Sequence, residues 1–461
     1  MSRRHFGTDG IRGVANEKLT PELAFALGRA AGHFLHARGL PRRAVMGRDT
    51  RRSGPMLGAA LASGLCSTGV DVVSLGVVPT PTVSYAARTG EFGLGAILSA
   101  SHNPAPDNGI KLVGHDGCKL ADSVELELEA ALAPEAVTLR PTGGEVGSLE
   151  SDRALVDAYL DTLVAMVPER LDGMQIAVDA AHGAAFELAP EVLVRLGAEV
   201  YLTGAEPDGM NINAEGGATK PDRIGAFTLE TEAEFGVAFD GDADRAVFCD
   251  ERGRLINGDR TIGIWSGHWQ RHGLLEPRVV VGTVMSNGGF ERYLLGRGVR
   301  LERTPVGDKY VAQRLIETGA KIGGEQSGHI IFPAHGPTGD GLVTMLEMLR
   351  VLRRESRPAS AFYEDYESWP QVLINVAVAS RDGWDAGELV REALASGEQA
   401  LAGHGRLVVR PSGTQPMVRV MVEADTYALR DEVADQIVSA MQSELDGRVY
   451  SKVDLTHALG D

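Results

Sequence analysis

The sequence repeats one pattern three times: an apolar strand, a polar or glycine-containing loop, a helical stretch, a glycine and another strand. The first strands of the three copies lie in "AVMGRDT" (44–50), "IAVDAAHG" (176–183) and "RVVVGTVMSNGG" (278–289). Gly69, Gly197 and Gly298 stand where each helical stretch gives way to the next strand, a position that favours glycine. Continuous apolar strands that alternate with helices predict an α/β fold with mainly parallel sheets covered on both faces.

The C-terminal part of the chain has a different order of elements. Strands are expected in "VLINVAVA", "GRLVVRPSG" and "PMVRVMVEA", with helices near 385–401 and 427–445, a pattern typical of a small α+β domain. A chain of 461 residues also exceeds a single ordinary core. We therefore predict three related mixed α/β domains and a smaller C-terminal α+β domain around a central cleft, with the boundaries 1–155, 156–255, 256–368 and 369–461.

Charge, cysteine content and the lack of targeting segments limit the partners and the cellular compartment that the sequence predicts. The formal net charge of −18 would repel nucleic acid and anionic lipid, so neither is expected as a partner. Cys66, Cys118 and Cys249 are scattered and odd in number, which indicates reduced thiols rather than disulfides or a zinc site. The sequence has no signal-peptide pattern and no apolar run long enough for a membrane span. We expect a soluble, cytoplasmic protein.

A different polar loop follows the next strand of each copy. These strands and loops are "FGLGAILSASHNP", "FGVAFDGDADR" and "AKIGGEQSGH". Ligands of open α/β sheets bind beyond the carboxyl ends of the strands. Three such domains facing one cleft would bring the three loops together.

The loop "DGDADR" places Asp240, Asp242 and Asp244 on alternate residues. Three carboxylates so close repel one another, and a hard cation resolves the repulsion. The alternatives are a solvated acidic turn and a calcium loop, for which Glu251 would be the twelfth residue. The calcium loop fails because Arg245 stands where that loop needs glycine, and because a strand precedes it. The pattern favours magnesium, with open positions that could bind phosphate.

Ser101 lies in the first loop, "SASHNP", beside His102. A lone serine in a loop is most often a hydrogen-bonding residue, and His102 as an immediate neighbour is badly placed to act as its base. A phosphate on the hydroxyl, however, would supply oxygens to a magnesium ion held by the three aspartates. The residues alone leave both roles open.

The third loop, "GGEQSGH", offers Glu325 and Ser327 between glycines, with His329 behind them. Small neighbours allow a sugar to approach closely, so these side chains are suited to sugar hydroxyls. An ordinary polar turn is an equally good interpretation of this loop by itself.

A fourth loop, "RPSGTQP", is the local positive site that an acidic protein would need for an anion. Its guanidinium, hydroxyl and backbone N–H groups could hold a phosphate. The alternative is a glycine-containing hairpin turn with two surface arginines. The candidate phosphate-binding residues are Arg410, Ser412, Gly413, Thr414 and Arg419.

Together, the four loops resemble those of one family, the α-D-phosphohexomutases, in the right order over essentially the whole chain. The resemblance implies a phosphorylated Ser101 and one Mg²⁺ per chain, held by Asp240, Asp242, Asp244 and a phosphate oxygen on Ser101. It also implies sugar contacts from Glu325 and Ser327, and a distal phosphate site in the fourth loop. The residues implied at the reacting centre are Arg12, His102, Lys111, Arg245 and His329, with Lys111 as the candidate general acid or base.

Four further segments resemble the bacterial members of this family that act on glucosamine phosphates: "FGTDGIRG", "PDGMNIN" (207–213), "VGDKYV" (306–311) and "PTGDGLVTML" (337–346). The resemblance implies interconversion of glucosamine 6-phosphate and glucosamine 1-phosphate, with glucosamine 1,6-bisphosphate as intermediate and activator, feeding UDP-N-acetylglucosamine synthesis for the cell wall. For the assembly, a homodimer is our hypothesis. Position 415 departs from the family because it is Gln where Glu is usual.

Three other functions compete with this one. The nearest is a phosphomannomutase or phosphoglucomutase on the same scaffold. A metal-dependent phosphatase with an aspartate nucleophile in "DGDADR" would not need Ser101. A catalytically silent sugar-phosphate binding protein would not need the three carboxylates.

Overall fold

In a computed structural model of the chain, the described residues are 5–7, 10–133, 136, 139–380, 382–412 and 416–456. These residues form four sheets, which we call the first to fourth units together with the helices between their strands. Gly413 and Thr414 of the predicted phosphate loop, and Gln415, lie outside the described residues. Within the described part of the chain, no helix has the length and apolar character that crossing a bilayer requires.

The first unit has a seven-stranded sheet in the order β1-β2-β6-β5-β3-β4-β7. Strand β3 pairs in parallel with β4 and β5, whereas β5 and β6 are antiparallel. The strands are β1 (Phe6–Gly7), β2 (Gly10–Val14), β3 (Arg43–Arg48), β4 (Asp71–Val77), β5 (Leu94–Leu98), β6 (Asp107–Gly114) and β7 (Leu149–Ser151). The helices are α1 (Pro21–Arg38), α2 (Gly54–Cys66), α3 (Thr80–Thr89) and α4 (Asp122–Ala130), followed by a 3₁₀ turn at Gly143–Glu145.

The second unit has a five-stranded sheet in the order β12-β11-β10-β8-β9. Strand β8 pairs in parallel with β9 and β10, and β10 and β11 form an antiparallel hairpin. Its elements are α5 (Ala154–Ala165), β8 (Gln175–Asp179), α6 (Leu188–Arg195), β9 (Glu199–Thr203), α7 (Asp222–Glu230), β10 (Phe235–Phe239), β11 (Ala246–Asp250) and β12 (Leu255–Ile256).

The third unit has a four-stranded sheet in the order β14-β13-β15-β16. Strand β13 pairs in parallel with β14 and β15, and β15 pairs antiparallel with β16. Its elements are α8 (Gly258–Arg271), β13 (Val279–Thr283), α9 (Gly288–Leu295), β14 (Arg300–Thr304), α10 (Asp308–Thr318), β15 (Gly323–Gly324), β16 (Ile330–Ile331), α11 (Gly341–Glu355) and α12 (Ala359–Tyr363).

The fourth unit has an antiparallel sheet in the order β18-β19-β17-β20, covered by two helices whose apolar faces pack on it. The predicted helix over 427–445 is present with those bounds, but the edge strand β20 was not predicted. The elements are β17 (Gln371–Ala377), α13 (Glu388–Ala400), β18 (Gly405–Pro411), β19 (Met417–Ala424), α14 (Tyr427–Leu445) and β20 (Arg448–Asp454).

The predicted repeat and the α/β class are confirmed, with a smaller antiparallel sheet at the C-terminus. Gly69, Gly197 and Gly298 have φ values of 82°, 93° and 69°. Positive φ is accessible to glycine without the steric cost that a Cβ imposes, which explains why glycine ends each helical stretch. One apolar core extends through the first three units, so these units pack directly against one another.

Each of the four polar loops connects the two strands of an antiparallel hairpin. The connections run from β5 to β6, from β10 to β11, from β15 to β16 and from β18 to β19. The sequence predicted the strand before each of the first three loops but not the strand that returns. In the first three units the returning strands make the sheets mixed: strands on one side of the strand before the polar loop pair in parallel, and those on the other side pair antiparallel.

Candidate active site

Ser101 lies in the connection between β5 and β6 and is almost fully buried, at 2% exposure. Its hydroxyl donates a hydrogen bond of 2.6 Å to Asp240 Oδ2 in the second unit. The Nδ1 atom of His102 lies 3.4 Å from the same hydroxyl oxygen. The backbone of Ser101 has a φ of 51°, a left-handed conformation that is unfavourable for a residue with a side chain. The surrounding contacts therefore hold this serine toward the acidic loop.

The three aspartates of the acidic loop converge, as their spacing predicted. One carboxylate oxygen from each of Asp240, Asp242 and Asp244 lies within 4.8 Å of the others, and all three side chains are buried. Burial, together with the charges of Asp244 and Asp242, raises the pKa of Asp240 well above its usual range. Burial and the charge of Asp242 also raise the pKa of Asp244. Such mutual repulsion is the electrostatic signature of a site that a cation would stabilise.

Asp242 differs from its two neighbours because positive and polar groups surround it. Burial opposes its ionisation, but the Lys111 ammonium, hydrogen bonds from Thr80 and Lys111, and the Arg12 guanidinium together lower its pKa. Lys111 Nζ lies 3.1 Å from Asp242 Oδ2 and 3.8 Å from Asp244 Oδ2. The buried Lys111 thus stands between two carboxylates at the reacting centre that the resemblance implied.

The donor set fits a hard divalent cation. All three side chains offer carboxylate oxygens, which are the ligands that Mg²⁺ prefers. Among the described residues, Asp242 Oδ1 and Asp244 Oδ1 are buried without a hydrogen-bond partner. Buried polar atoms are normally satisfied, so these oxygens mark places where a ligand would complete the site.

The third loop lies directly beside the acidic loop. Arg245 and His329 form an isolated β-bridge, and His329 Nε2 lies 3.9 Å from Asp244 Oδ2. Glu325 is fixed because its Oε1 accepts a hydrogen bond of 2.9 Å from the backbone N–H of Gly307. Ser327 is buried in the same loop. The structure therefore brings the first three predicted loops together at one place.

The fourth loop follows β18 and precedes β19. Arg410 and Arg419 are direct partners across this antiparallel ladder, and the Ser412 N–H donates to the carbonyl of Met417 at 2.8 Å. Burial and the charge of Arg419 lower the pKa of Arg410. Two partly buried guanidiniums on facing residues give this loop a concentrated positive charge.

Four phosphoglucomutase/phosphomannomutase domain families match the chain in sequence order. They are α/β/α domain I over residues 3–137, domain II over 157–253, domain III over 257–369 and the C-terminal domain over 373–440. The chain belongs to the phosphoglucomutase/phosphomannomutase family. It is therefore a phosphohexomutase, an isomerase, as its four loops indicated.

Relatives of this phosphohexomutase align over nearly their whole length. A phosphoglucosamine mutase of Symbiobacterium thermophilum is 47% identical over 96% of this chain and 99% of its own. One of Desulforamulus reducens is 46% identical over 94% of this chain and 98% of its own. A phosphoglucomutase/phosphomannomutase family protein of Burkholderia thailandensis superposes with a TM-score of 0.79 at 27% identity, covering 95% of this chain and 97% of its own.

A more distant structure shares the fold. It is the N-acetylphosphoglucosamine mutase of Aspergillus fumigatus in complex with GlcNAc-6P and magnesium. It superposes with a TM-score of 0.63 at 17% identity, covering 96% of each chain.

Four segments that carried the family resemblance contact the site in this phosphohexomutase. Arg12 of "FGTDGIRG" lies on β2 opposite Gly109, and its positive charge helps to lower the pKa of Asp242. In "VGDKYV", Gly307 anchors Glu325. In "PTGDGLVTML", the Gly341 N–H donates to the carbonyl of Ala243 at 3.0 Å. The fourth segment, "PDGMNIN", ends at Asn213, whose side chain bonds to the loop of Ser101.

Several residues at the site were missed by sequence reasoning. Asn213 entered the prediction only as the last residue of "PDGMNIN", and Arg51, which directly follows "AVMGRDT", was not predicted. Thr80, at the start of α3, donates from Oγ1 to Asp242 Oδ2 at 2.7 Å and from its N–H to the Asp242 carbonyl at 2.9 Å. The one usable signal was the density of polar residues in "GRDTRRSG", which covers the end of β3 and the residues that follow it.

Proposed function

We propose that this phosphohexomutase interconverts glucosamine 6-phosphate and glucosamine 1-phosphate through phosphorylated Ser101. The observation that carries this proposal is the 2.6 Å hydrogen bond from Ser101 Oγ to Asp240 within a buried acidic cluster. An isolated loop serine has no need of three buried carboxylates, whereas a phosphoryl carrier beside a cation does. The choice of glucosamine follows the names of the relatives at 43–47% identity.

The proposed reaction moves a phosphoryl group twice. The free hydroxyl of the bound monophosphate attacks the phosphorus on Ser101, so a new sugar O–P bond forms as the Ser101 Oγ–P bond breaks. The hydroxyl proton passes to a base, and the product is glucosamine 1,6-bisphosphate. The base returns the proton to Ser101 Oγ. In the second transfer, Ser101 Oγ attacks the other phosphoryl group of the reoriented bisphosphate, so a Ser101 Oγ–P bond forms as that sugar O–P bond breaks. The serine proton passes through the base to the departing sugar oxygen, which restores phosphoserine and releases the isomeric monophosphate.

The residues of the site have distinct proposed roles. Lys111 is our candidate general acid or base: as a neutral amine it would take up the proton, and once protonated it would put a positive charge between Asp242 and Asp244, beside the transferring group. Arg12, His102, Arg245 and His329 would supply further positive charge and hydrogen bonds, which stabilise a loose phosphoryl-transfer transition state. Glu325 and Ser327 would bind sugar hydroxyls from the neighbouring loop.

Asp240, Asp242 and Asp244 would hold Mg²⁺, with a phosphate oxygen on Ser101 as a further ligand. When bound, the ion would neutralise charge that develops on the transferring phosphoryl group. The carboxylates alone would repel that group, so the proposal makes activity dependent on magnesium.

Arg410, Ser412 and Arg419 would bind the phosphate that does not react, and Gly413 and Thr414 would complete that loop. Binding of the substrate by its phosphate and by its hydroxyls would fix both ends of the sugar. Correct placement of the reacting hydroxyl is a large part of the barrier reduction available to such an enzyme.

The experiment is a comparison of the wild type with Ser101→Ala. Each protein is supplied with glucosamine 6-phosphate, Mg²⁺ and catalytic glucosamine 1,6-bisphosphate, and glucosamine 1-phosphate is measured. The wild type should form product, and its intact mass should include one phosphoryl group that phosphatase treatment removes. Ser101→Ala should form no product and should carry no phosphoryl group. An active Ser101→Ala would refute the phosphoserine mechanism, and release of inorganic phosphate instead of isomer would favour the phosphatase alternative.

A further inference from the structure

Arg51, which follows β3 in the first unit, is completely buried. Its Nε donates to Asp49 Oδ2 at 2.8 Å, and its backbone N–H donates to Asp49 Oδ1 at 3.0 Å. The guanidinium also bonds to four backbone carbonyls of the Ser101 loop and the start of β6. Its terminal nitrogens donate to the carbonyls of Ser101 at 2.8 Å, Asn103 at 2.8 Å, Pro104 at 2.5 Å and Asp107 at 3.0 Å.

Asn213 reaches two of the same carbonyls from the second unit. Its Nδ2 donates to the carbonyl of Ser101 at 2.9 Å and to that of Asn103 at 3.2 Å. A carbonyl oxygen has two lone pairs, so the donors from Arg51 and Asn213 together saturate each acceptor. The Ser101 peptide is therefore held by two side chains from different units.

The N–H of Ser101 is fixed by the same network. It donates to Ser99 Oγ at 2.8 Å, and the Ser99 hydroxyl donates to Asp49 Oδ2 at 2.7 Å. Asp49 thus binds both Arg51 and Ser99, the two residues that fix the backbone carbonyl and N–H of Ser101. With its N–H and its carbonyl both restrained, Ser101 keeps the left-handed φ of 51° that an unrestrained serine would avoid.

We propose that Arg51 and Asn213 are positioning residues for phosphoryl transfer at Ser101: they hold its backbone so that Oγ faces the acidic loop. This inference rests on the proposed function, but neither residue touches the reacting atoms in it. The side-chain hydrogen bonds of Arg51 end on Asp49 and on the loop carbonyls. Loss of either residue should therefore slow the chemical step while leaving sugar binding intact.

The test uses the full-length protein with Arg51→Met, Arg51→Lys and Asn213→Asp. Asn213→Asp keeps the shape of the side chain and tolerates its φ of 58°, but it loses the amide donors. Arg51→Lys keeps the charge and loses the planar fork that spans several carbonyls. For each variant, kcat and KM are measured per folded molecule, and phosphorylation of Ser101 by glucosamine 1,6-bisphosphate is followed by intact mass.

We expect kcat to fall about 100-fold in Arg51→Met, which is the scale of a small misplacement of reacting groups. Arg51→Lys should recover little of this loss, because geometry rather than charge is removed. Asn213→Asp should lose about tenfold. KM should stay within about twofold of wild type, and Ser101 phosphorylation should slow by the same factor as kcat.

Two matched controls separate positioning from stability. Arg260 is another buried arginine, and its Nη1 donates to the carbonyls of Tyr363 at 2.7 Å and Tyr366 at 3.2 Å. Asn211 lies in the same segment as Asn213, and among the described residues its side chain accepts from the Asp208 N–H and donates to the Glu206 carbonyl, both within the second unit. Arg260→Met and Asn211→Asp should lower the melting temperature without lowering kcat per folded molecule.

Wild-type kcat and phosphorylation rate in both Arg51→Met and Asn213→Asp would overturn the inference, as would an equal loss in the controls. If Arg51→Met does not fold, the kcat and phosphorylation rate of Asn213→Asp alone decide whether the inference holds, because aspartate keeps the shape of the asparagine side chain. An inactive Ser101→Ala beside fully active positioning variants would refute this inference alone. An active Ser101→Ala would refute the proposed function itself.

Discussion

Arg410 and Arg419 face each other directly across the ladder between β18 and β19. Like charges on directly opposed residues destabilise an antiparallel pair. Within the described part of the chain, the buried Nε of Arg419 also has no hydrogen-bond partner. A bound anion would relieve the repulsion and satisfy the donor, which is why we propose the distal phosphate at this hairpin.

Arg419→Ala should therefore raise KM for the sugar monophosphate. Hydrogen bonds to charged groups contribute about 1.5–3 kcal/mol, so kcat/KM should fall about 10- to 100-fold. The melting temperature should stay the same or rise, because the repulsion with Arg410 is removed. Steady-state kinetics and a thermal melt check both expectations, with the exposed Arg448→Ala on β20 as control. An unchanged kcat/KM would place the distal phosphate elsewhere.

Asp242→Asn should remove most magnesium-dependent turnover while the protein stays folded. The amide keeps the size of the carboxylate but loses the charge that faces Lys111 at 3.1 Å and any bound cation. We expect kcat to fall by at least about 100-fold, in line with losses that follow removal of a key electrostatic group. Magnesium titrations of activity provide the measurement, with the exposed Asp222→Asn as control. Near-normal activity at an unchanged magnesium requirement would contradict the assignment of the acidic loop.

Gly241→Ala should slow turnover by crowding the Ser101 loop. A Cβ at this position would lie 2.6 Å from the Ser101 carbonyl oxygen and 2.8 Å from Asn213 Nδ2. Contacts this short force the loop or the amide to move, and we expect kcat to fall about 10- to 100-fold. Gly144→Ala is the control, because a Cβ there meets nothing within 4 Å. Equal kcat values for the two variants would show that the Ser101 loop tolerates displacement.

The sequence allowed prediction of the repeat and of the polar loops because both depend on local pattern. Strand, helix and glycine recur at regular spacing, and Asp240, Asp242 and Asp244 are close along the chain. The partners of Ser101 could not be found in this way. Arg51 is 50 residues away and Asn213 is 112 residues away, so only the packing of two units shows that they share acceptors.

The strands that follow the polar loops illustrate a second limit. Asp107–Gly114 and Ala246–Asp250 are fully paired, buried strands, but each begins within a few residues of a loop rich in polar and turn-forming residues. Their pairing is set by the hairpin rather than by an alternating pattern. The edge strand Arg448–Asp454 is largely exposed, so it also lacks the apolar periodicity that predicts a half-buried strand.

Asp340 makes folding stability depend on pH. Burial raises the pKa of Asp340 to about 6, although its carboxylate accepts hydrogen bonds from the Val343 N–H and the Tyr159 hydroxyl. A raised pKa in the folded state means that the folded protein binds the proton more tightly than the unfolded chain. This contribution to stability is therefore present below the ordinary pKa near 3.8 and is lost as the pH rises through about 6.

Asp340→Asn should remove that dependence, because the amide can still cap α11 and bond to Tyr159. Between pH 4 and pH 7, the wild type should lose stability relative to the variant by on the order of 2 kcal/mol. Denaturant unfolding at several pH values gives the difference in unfolding free energy directly, because the contributions of carboxylates that both proteins share cancel. A constant difference across this range would show that Asp340 titrates normally.

Substrate preference is the final prediction. Glucosamine, glucose and mannose 6-phosphates share the phosphate and most hydroxyls, so Glu325, Ser327 and the arginine pair would contact all three. An ammonium and a hydroxyl at carbon 2 are similar in size, and a site separates them by charge and hydrogen bonding. The expected preference for glucosamine rests on the phosphoglucosamine mutases that are 43–47% identical to this chain. We expect kcat/KM to be highest for glucosamine 6-phosphate, with glucose and mannose 6-phosphates slower but measurable.

The kcat/KM values of the three 6-phosphates are compared with matched 1,6-bisphosphate activators in one buffer, because a preference based on charge weakens at high salt. A higher value for glucose or mannose would leave phosphoryl transfer at Ser101 in place and replace the proposed substrate.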